Sequence, residues 1–328
     1  MTAELTTDTI FADAGGPDPA AHCLASGGLV AFPTETVYGL GADATNPTAI
    51  ARLYQAKGRP SFNPLIAHVP DLAAAQRIAV FDDKSLKLAE AFWPGPLTLV
   101  LPKAPGCPVA DLATAGLDTV AIRVPAHPVA RDILRAFGKP VVAPSANVSG
   151  HVSPTTADHV RHDLAGRIDL IVDGGPVRVG VESTIVGCLG TPMLLRPGGL
   201  PRAEIERVIG MPLAQPPSEV ETNDVNPLAP GMMSSHYAPR TPVRLRASQL
   251  NDGEALLAFG LAIPSDNTAT VMNLSRTGNL VEAAANLFGY LRALDKVGAR
   301  GIAVMPIPDH GLGEAINDRL RRAAIPQN

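Results

Sequence analysis

Basic charge is scarce in this 328-residue chain, which sets 27 Lys and Arg against 31 Asp and Glu for a net charge of -4. That balance gives no global positive field and excludes a protein whose main work is gripping nucleic acid through its backbone, while leaving room for a local basic pocket. Aromatics are only 4% of residues, so the interleaved stacking surface of a single-strand binder is missing too. The three cysteines, Cys23, Cys107 and Cys188, are far apart and form no Cys-x-x-Cys pair, which excludes a disulfide framework or a zinc cluster and points to a reducing cytoplasm. The opening "MTAELTTDTIFADAGG" has no positive n-region or apolar core, and no apolar run is long enough to span a bilayer. A soluble, unexported protein with no membrane partner is expected.

Apolar content is ample, at 46% of residues, enough for two cores in a chain this long. Between residues 20 and 210, "GLVAFP", "PLIAHV", "LTLVLP", "TVAIRVP", "PVVAPSA", "DLIVDGG", "STIVGC" and "MLLRPG" predict strands, with helices over 127–138, 155–165 and 201–209. This alternation predicts an α/β sheet, and the strand density around 170–196 adds antiparallel pairing. Residues 211–242 are proline-rich and almost without periodicity, which reads as a linker or a lid. After them, "EALLAFG", "TATVMNL", a helix over about 279–295, "GIAVMPIP" and a helix from about 313 predict a small second α/β unit. The expected division is an N-terminal extension over 1–20, a first domain over 21–210, the strap over 211–242 and a second domain over 243–328.

One helix can be placed closely. In "NPTAIARLYQAKG", Asn46 suits the N-cap, Pro47 the first helical position and Gly58 the stop, with Ile50, Leu53 and Tyr54 on one face. Lys57 and Arg59 then flank its C-terminus, where cations also suit the helix dipole without any further role. Five segments place polar residues with Gly or Pro neighbours directly after a strand, where open α/β sheets hold ligands. They are "PTETVYGLG", "KGRPSFNPLIAH", "APSANVSGHVSPT", "VESTIVG" and "LLRPGG". "SAN" alone is ordinary turn sequence, but together the five loops supply cations, hydroxyls and amides able to hold a polyphosphate and a small polar acid. No Gly-x-x-x-x-Gly-Lys-Ser/Thr loop and no Gly-x-Gly-x-x-Gly opens a helix, so a nucleotide would have to bind in another way.

"PTETVYGLG", "KGRPSFNPL", "PSANVSG", "ESTIV" and "LRPGG", in this order, resemble the YrdC-like domain of threonylcarbamoyl-AMP synthases. "PGMMSSHYAP" and "GLGEAINDRLRRAA" resemble the linker and C-terminal domain of the two-domain form. The resemblance implies a twisted mixed α/β sheet with a concave, positively lined cavity, followed by a Rossmann-like unit. It also implies conversion of L-threonine, bicarbonate and ATP to threonylcarbamoyl-AMP and pyrophosphate, for the threonylcarbamoyladenosine of tRNA. Carried over, it makes Lys57 and Arg59 the catalytic cations, facing triphosphate. Arg59, Asn63, Thr119, Ser145, Asn147, Ser153 and Arg196 become ATP contacts, with His236 or Tyr237 reaching in from the strap. Thr36, His68, Arg123 and Ser183 fall on the L-threonine side, with Arg123 suited to a bidentate grip on the carboxylate. His68 could equally be an inward strand histidine satisfied by a neighbour.

No nucleophile or acid/base pair stands out, so catalysis is expected to rest on positioning and on cations, Mg²⁺ included, with metal ligands unreadable. His159 and His162, three apart, read as a solvated helix face rather than a metal pair. Members of the family often carry basic or aromatic residues before His-Tyr, where this chain has "MMSS", which weakens the strap's claim to be a lid. A tRNA transferase machinery should consume the product, without stable tRNA binding here. Two rivals remain: an RNA-binding module, and a carbamoyl-adenylate enzyme like the YrdC-like part of hydrogenase-maturation carbamoyltransferases.

Overall fold

The computed structural model describes residues 5–13, 16–216, 237–261 and 269–325. It opens with β1 (Asp8–Phe11), α1 (Asp18–Ala25), β2 (Val30–Pro33), β3 (Tyr38–Asp43), α2 (Pro47–Lys57) and β4 (Ile66–His68). Next come α3 (Leu72–Gln76), α4 (Asp83–Phe92), β5 (Leu97–Pro102), α5 (Asp111–Thr114), β6 (Thr119–Arg123), α6 (Pro128–Phe137) and β7 (Val141–Val142). Then follow α7 (Ala157–Leu164), β8 (Leu170–Asp173), β9 (Thr184–Gly187), β10 (Met193–Arg196) and α8 (Arg202–Ile209). Past the strap lie β11 (Val243–Arg244), β12 (Glu254–Ala258), β13 (Val271–Asn273), α9 (Leu280–Asp295), β14 (Gly301–Val304) and α10 (Leu312–Ala323). No helix among the described residues is long and apolar enough to cross a membrane.

In α2 the Asn46 side chain accepts from the backbone N–H groups of Thr48 and Ala49, Pro47 opens the helix, and Gly58 ends it at φ 60°. 

The strands before the strap form one mixed ten-stranded sheet in the order β1-β8-β2-β3-β7-β4-β6-β5-β9-β10. All eight predicted strands are in it, and β9 and β10 pair antiparallel. β3 and β1 are additions. β3 lies in "VYGLGAD", where two glycines hide the strand signal. Gly41 is required there because a Cβ would sit 2.7 Å from the Phe32 ring and 3.0 Å from the Val141 side chain. β1 comes from the segment expected to be an extension, and it pairs parallel with β8 at the sheet edge.

The second sheet has the order β11-β14-β12-β13 and is parallel throughout, with α9 packed on β12 and α10 on α9. Its core is continuous with the first unit: Val37, Val152 and Val181 pack in one cluster with Tyr237, Leu287, Phe288 and Leu291. Gly180 makes this approach possible. At φ +79° it lies against α9, and a Cβ there would stand 2.2 Å from the Ala284 carbonyl oxygen. Gly180→Ala should therefore loosen the docking of α9. We expect a lower thermal midpoint and faster proteolysis, and an unchanged melting curve would show that the helix yields freely.

Candidate active site

Gly58 turns the chain so that Lys57 and Arg59 both face inward from the end of α2. Their parts differ. Lys57 is only 1% exposed and does not line the cavity; its Nζ donates to the carbonyls of Ser145 and Asn147 at 2.5 Å each. The expectation that both cations face the ligand is thus corrected for Lys57, which fixes the "SAN" loop from behind. Burial, and then Arg59, push its ammonium pKa well down. Arg59 does line the cavity, its Nη2 donating to the carbonyls of Asn63 and Pro64 at 3.4 and 3.1 Å. Its buried Nε has no hydrogen-bond partner among the described residues.

The parallel pairing of β4 and β6 sets His68 beside Arg123 at the same end of both strands. Arg123 is held by Glu35, at 2.5 Å from Nη2 to Oε1, while its Nε donates to the Gly95 carbonyl at 3.3 Å. Glu35 and Gly95 thereby take two of the five guanidinium N–H groups, and the two on Nη1 and the second on Nη2 are left over from these bonds. On the facing side, Arg196 donates through Nε and Nη2 to the Ser183 carbonyl and through Nη2 to the Ser183 hydroxyl. Gly198 lets β10 lie this close, since a Cβ would fall 2.4 Å from the Ser183 backbone. Ser183 also shares a hydrogen bond with Thr98 at 2.8 Å.

These elements enclose a cavity, partly open to solvent, in which Arg59, His68, Arg123, Ser145, Ser183, Arg196 and Tyr237 meet Val37, Leu65 and Ile66. Thr36, Asn63, Asn147 and Ser153 are buried around it without lining it. The Thr34 hydroxyl donates to the Val37 carbonyl at 2.6 Å, so in its 2.8 Å bond with Thr36 the proton comes from Thr36. Asn147 spends its amide hydrogens on the carbonyls of Val148 and His151 and keeps a buried Oδ1 without a partner among the described residues. Thr119 opens β6 two positions before Ala121, the partner of Ile66, and the cavity does not reach it. His236 lies outside the described residues. Tyr237 adopts φ 64°, a strained backbone for a side-chain-bearing residue, and stacks on Phe288 with ring centroids 5.6 Å apart.

Two acids and one arginine escaped the sequence reading. Glu35 is the partner of Arg123, and Glu182 lines the cavity while accepting from the Ser153 hydroxyl at 2.5 Å. Arg319, on α10, donates from Nε to Glu182 at 2.8 Å. Burial raises the Glu182 pKa, but Arg319, Arg196 and Ser153 outweigh it and hold the carboxyl at about 2. Both carboxylates are therefore committed to arginine, and no group of three or more His, Cys, Asp or Glu among the described residues gathers into a metal site. This donor set does not fit a resident divalent cation.

His68 is buried and its Nδ1 lies 3.1 Å from the Ile66 carbonyl, so the neutral ring carries its proton there. Burial, followed by Arg123, lowers its pKa from 6.5 to about 3. Between those values the unfolded chain binds a proton that the native state refuses, so stability is complete above pH 6.5 and falls as the pH drops toward 3. The loss from this group should approach about 3 kcal/mol by pH 4. Denaturant titrations at pH 7, 5.5 and 4 should show a decline that His68→Gln flattens, and a wild-type midpoint constant over this range would contradict the assignment.

Two family models cover the chain in succession: one described as telomere recombination over residues 22–198, and one described as the threonylcarbamoyl-AMP synthase C-terminal domain over residues 200–325. The threonylcarbamoyl-AMP synthase of Bacillus subtilis is 42% identical over 320 residues, covering 93% of this chain and 92% of the relative. That of Pyrococcus abyssi is 43% identical, covering 93% of each. The crystal structure of P. abyssi Sua5 complexed with L-threonine superposes with a TM-score of 0.86 at 40% identity, covering 97% of each chain. With both its domains matched in order, this chain belongs to the threonylcarbamoyl-AMP synthase family.

Proposed function

We propose that the cavity joins L-threonine, bicarbonate and ATP into threonylcarbamoyl-AMP with release of pyrophosphate. The observation that carries this reading is the convergence of three buried arginines, Arg59, Arg123 and Arg196, on one cavity with serine hydroxyls and a neutral histidine. ATP is assigned to the side of Arg59, Asn63, Ser145, Asn147, Ser153 and Arg196, with Tyr237 beside it and Thr119 and His236 as further candidates. Threonine is assigned to Thr36, His68, Arg123 and Ser183, its carboxylate on Arg123 Nη1.

The neutral amine of threonine attacks bicarbonate, forming the C–N bond of a carbamate and releasing water. A carbamate oxygen then attacks the α-phosphorus of ATP, and the bond to the β-phosphate oxygen breaks to give pyrophosphate. His68, with a pKa near 3, is too weak a base to take the ammonium proton, which goes to solvent. The fixed Arg59 guanidinium stabilises the charge that develops on the phosphates without reorganising at each turnover. Mg²⁺, as the ordinary companion of a triphosphate, would enter with ATP. The product is proposed to serve a tRNA threonylcarbamoyl transferase in the cytoplasm.

Pyrophosphate release is expected to require threonine and bicarbonate together. Because a site built around a hydroxyl leaves its own polar groups unpaired with an analogue lacking one, serine should react more slowly and valine hardly at all. Equal rates with valine would remove the threonine assignment, and turnover driven by carbamoyl phosphate would favour the carbamoyltransferase-like chemistry instead.

A further inference from the structure

Among the side chains lining the cavity, Glu182 is the carboxylate in a site otherwise furnished with cations. Left alone it would repel an anionic substrate and compete for Arg196. The second unit supplies what prevents this. Arg319 is 0% exposed, donates to Glu182 Oε2 at 2.8 Å, and lies over the Tyr237 ring at 5.2 Å from its centroid. Its Nη1 donates to the Pro197 carbonyl at 2.9 Å, in the "RPGG" turn that begins with Arg196, and to Asp318 Oδ2 at 2.5 Å, a carboxylate that Arg322 holds as well. Burying a guanidinium this completely is costly, and Arg319 is not alone in joining the two units. Arg202–Glu314 at 2.5 Å and Arg292–Asp163 at 2.8 Å join them elsewhere, as does the shared apolar core.

We infer that Arg319 is a positioning residue which neutralises Glu182 from the second unit and so keeps Arg196 available to the anionic substrate. Without Arg319, Arg196 is the guanidinium among the described residues that acts on Glu182. The carboxylate then draws it away from the ligand, and nucleotide affinity falls while the chemical step, once ATP is bound, changes little. The second unit thus contributes to the site through charge as well as cover. The inference rests on the assignment of the Arg196 side to ATP.

The test uses the full chain as wild type, Arg319→Met, Arg319→Lys, Glu182→Gln and the double variant Arg319→Met/Glu182→Gln. ATP binding is measured by calorimetry, and KM and kcat by pyrophosphate release. Arg319→Met should raise Kd and KM for ATP at least tenfold with kcat within threefold of wild type. The double variant, which removes the stranded carboxylate with its partner, should return both to within threefold. If Arg319→Met does not fold, Arg319→Lys, which keeps the charge, should still bind ATP within threefold of wild type, and the double variant should fold. Unaltered ATP affinity in Arg319→Met, or a double variant as impaired as the single one, would overturn the inference. Failure of wild type to bind ATP would instead overturn the assignment of the site.

Discussion

Arg123→Met is expected to destabilise the protein by about 3–5 kcal/mol and to reduce synthesis at least tenfold. Both effects start from one geometry. Arg123 and Glu35 are an almost dry ion pair, with side chains 4% and 12% exposed and a 2.5 Å contact. Glu35 also accepts from the Ala126 backbone at 2.9 Å, so it cannot leave for solvent without breaking the turn after β6. Burial alone would raise the Glu35 pKa, but Arg123 lowers it; with Arg123 removed, an ionised carboxyl is stranded in a dry site. Loss of the proposed charge-assisted contact to the threonine carboxylate adds the catalytic defect. Denaturant unfolding and pyrophosphate release separate the two. Arg123→Met/Glu35→Gln should recover most of the stability and little of the activity. Recovery of activity alongside stability would show that Arg123 serves the fold alone.

Lys57→Met should cost about 2–4 kcal/mol and lower activity by about tenfold without touching a substrate. The ammonium is the donor to two buried carbonyls, those of Ser145 and Asn147, and each orphaned carbonyl carries a penalty of about 1–3 kcal/mol. The relief of desolvating one cation offsets part of this. The freed loop no longer fixes Ser145 at the cavity or, behind it, the Asn147 Oδ1 that has no partner among the described residues. A shift in KM for ATP larger than that for threonine would place the loop on the nucleotide side. A Lys57→Met protein with wild-type stability and rate would remove the role given to this lysine.

Local rules read well from the sequence. Asn46, Pro47 and Gly58 bound α2 as capping chemistry requires, and each apolar run bounded by turn residues became a strand. What stayed hidden depended on distant chain. β3 was obscured by Gly39 and Gly41, whose reason is the crowding of Phe32, Val141 and Ala143 around them. The five loops singled out as ligand-bearing do supply residues to one cavity, yet nothing local could show that Lys57 would turn away from it or that Glu35 would claim Arg123. For Arg319 a signal was present. It shares the buried stripe of α10 with Ala315, Ile316, Leu320 and Ala323, and an arginine in that register needs a buried partner. The sequence does not say that the partner is Glu182, 137 residues away.

The strand order also governs how the nascent chain meets the cell. Leu29, at the entrance to β2, donates to Asp169, at the entrance to β8, 140 residues later. On a ribosome adding about 5–20 residues each second, the β2–β3 hairpin emerges roughly 7–30 s before the strand that covers its open edge. Throughout that interval Val30, Phe32 and Leu40, all fully buried in the finished protein, face the solvent with an unpaired edge beside them. Val37, Val152 and Val181 wait longer still, until α9 has been made. Holding chaperones are therefore expected to engage this chain during synthesis, at its first hairpin.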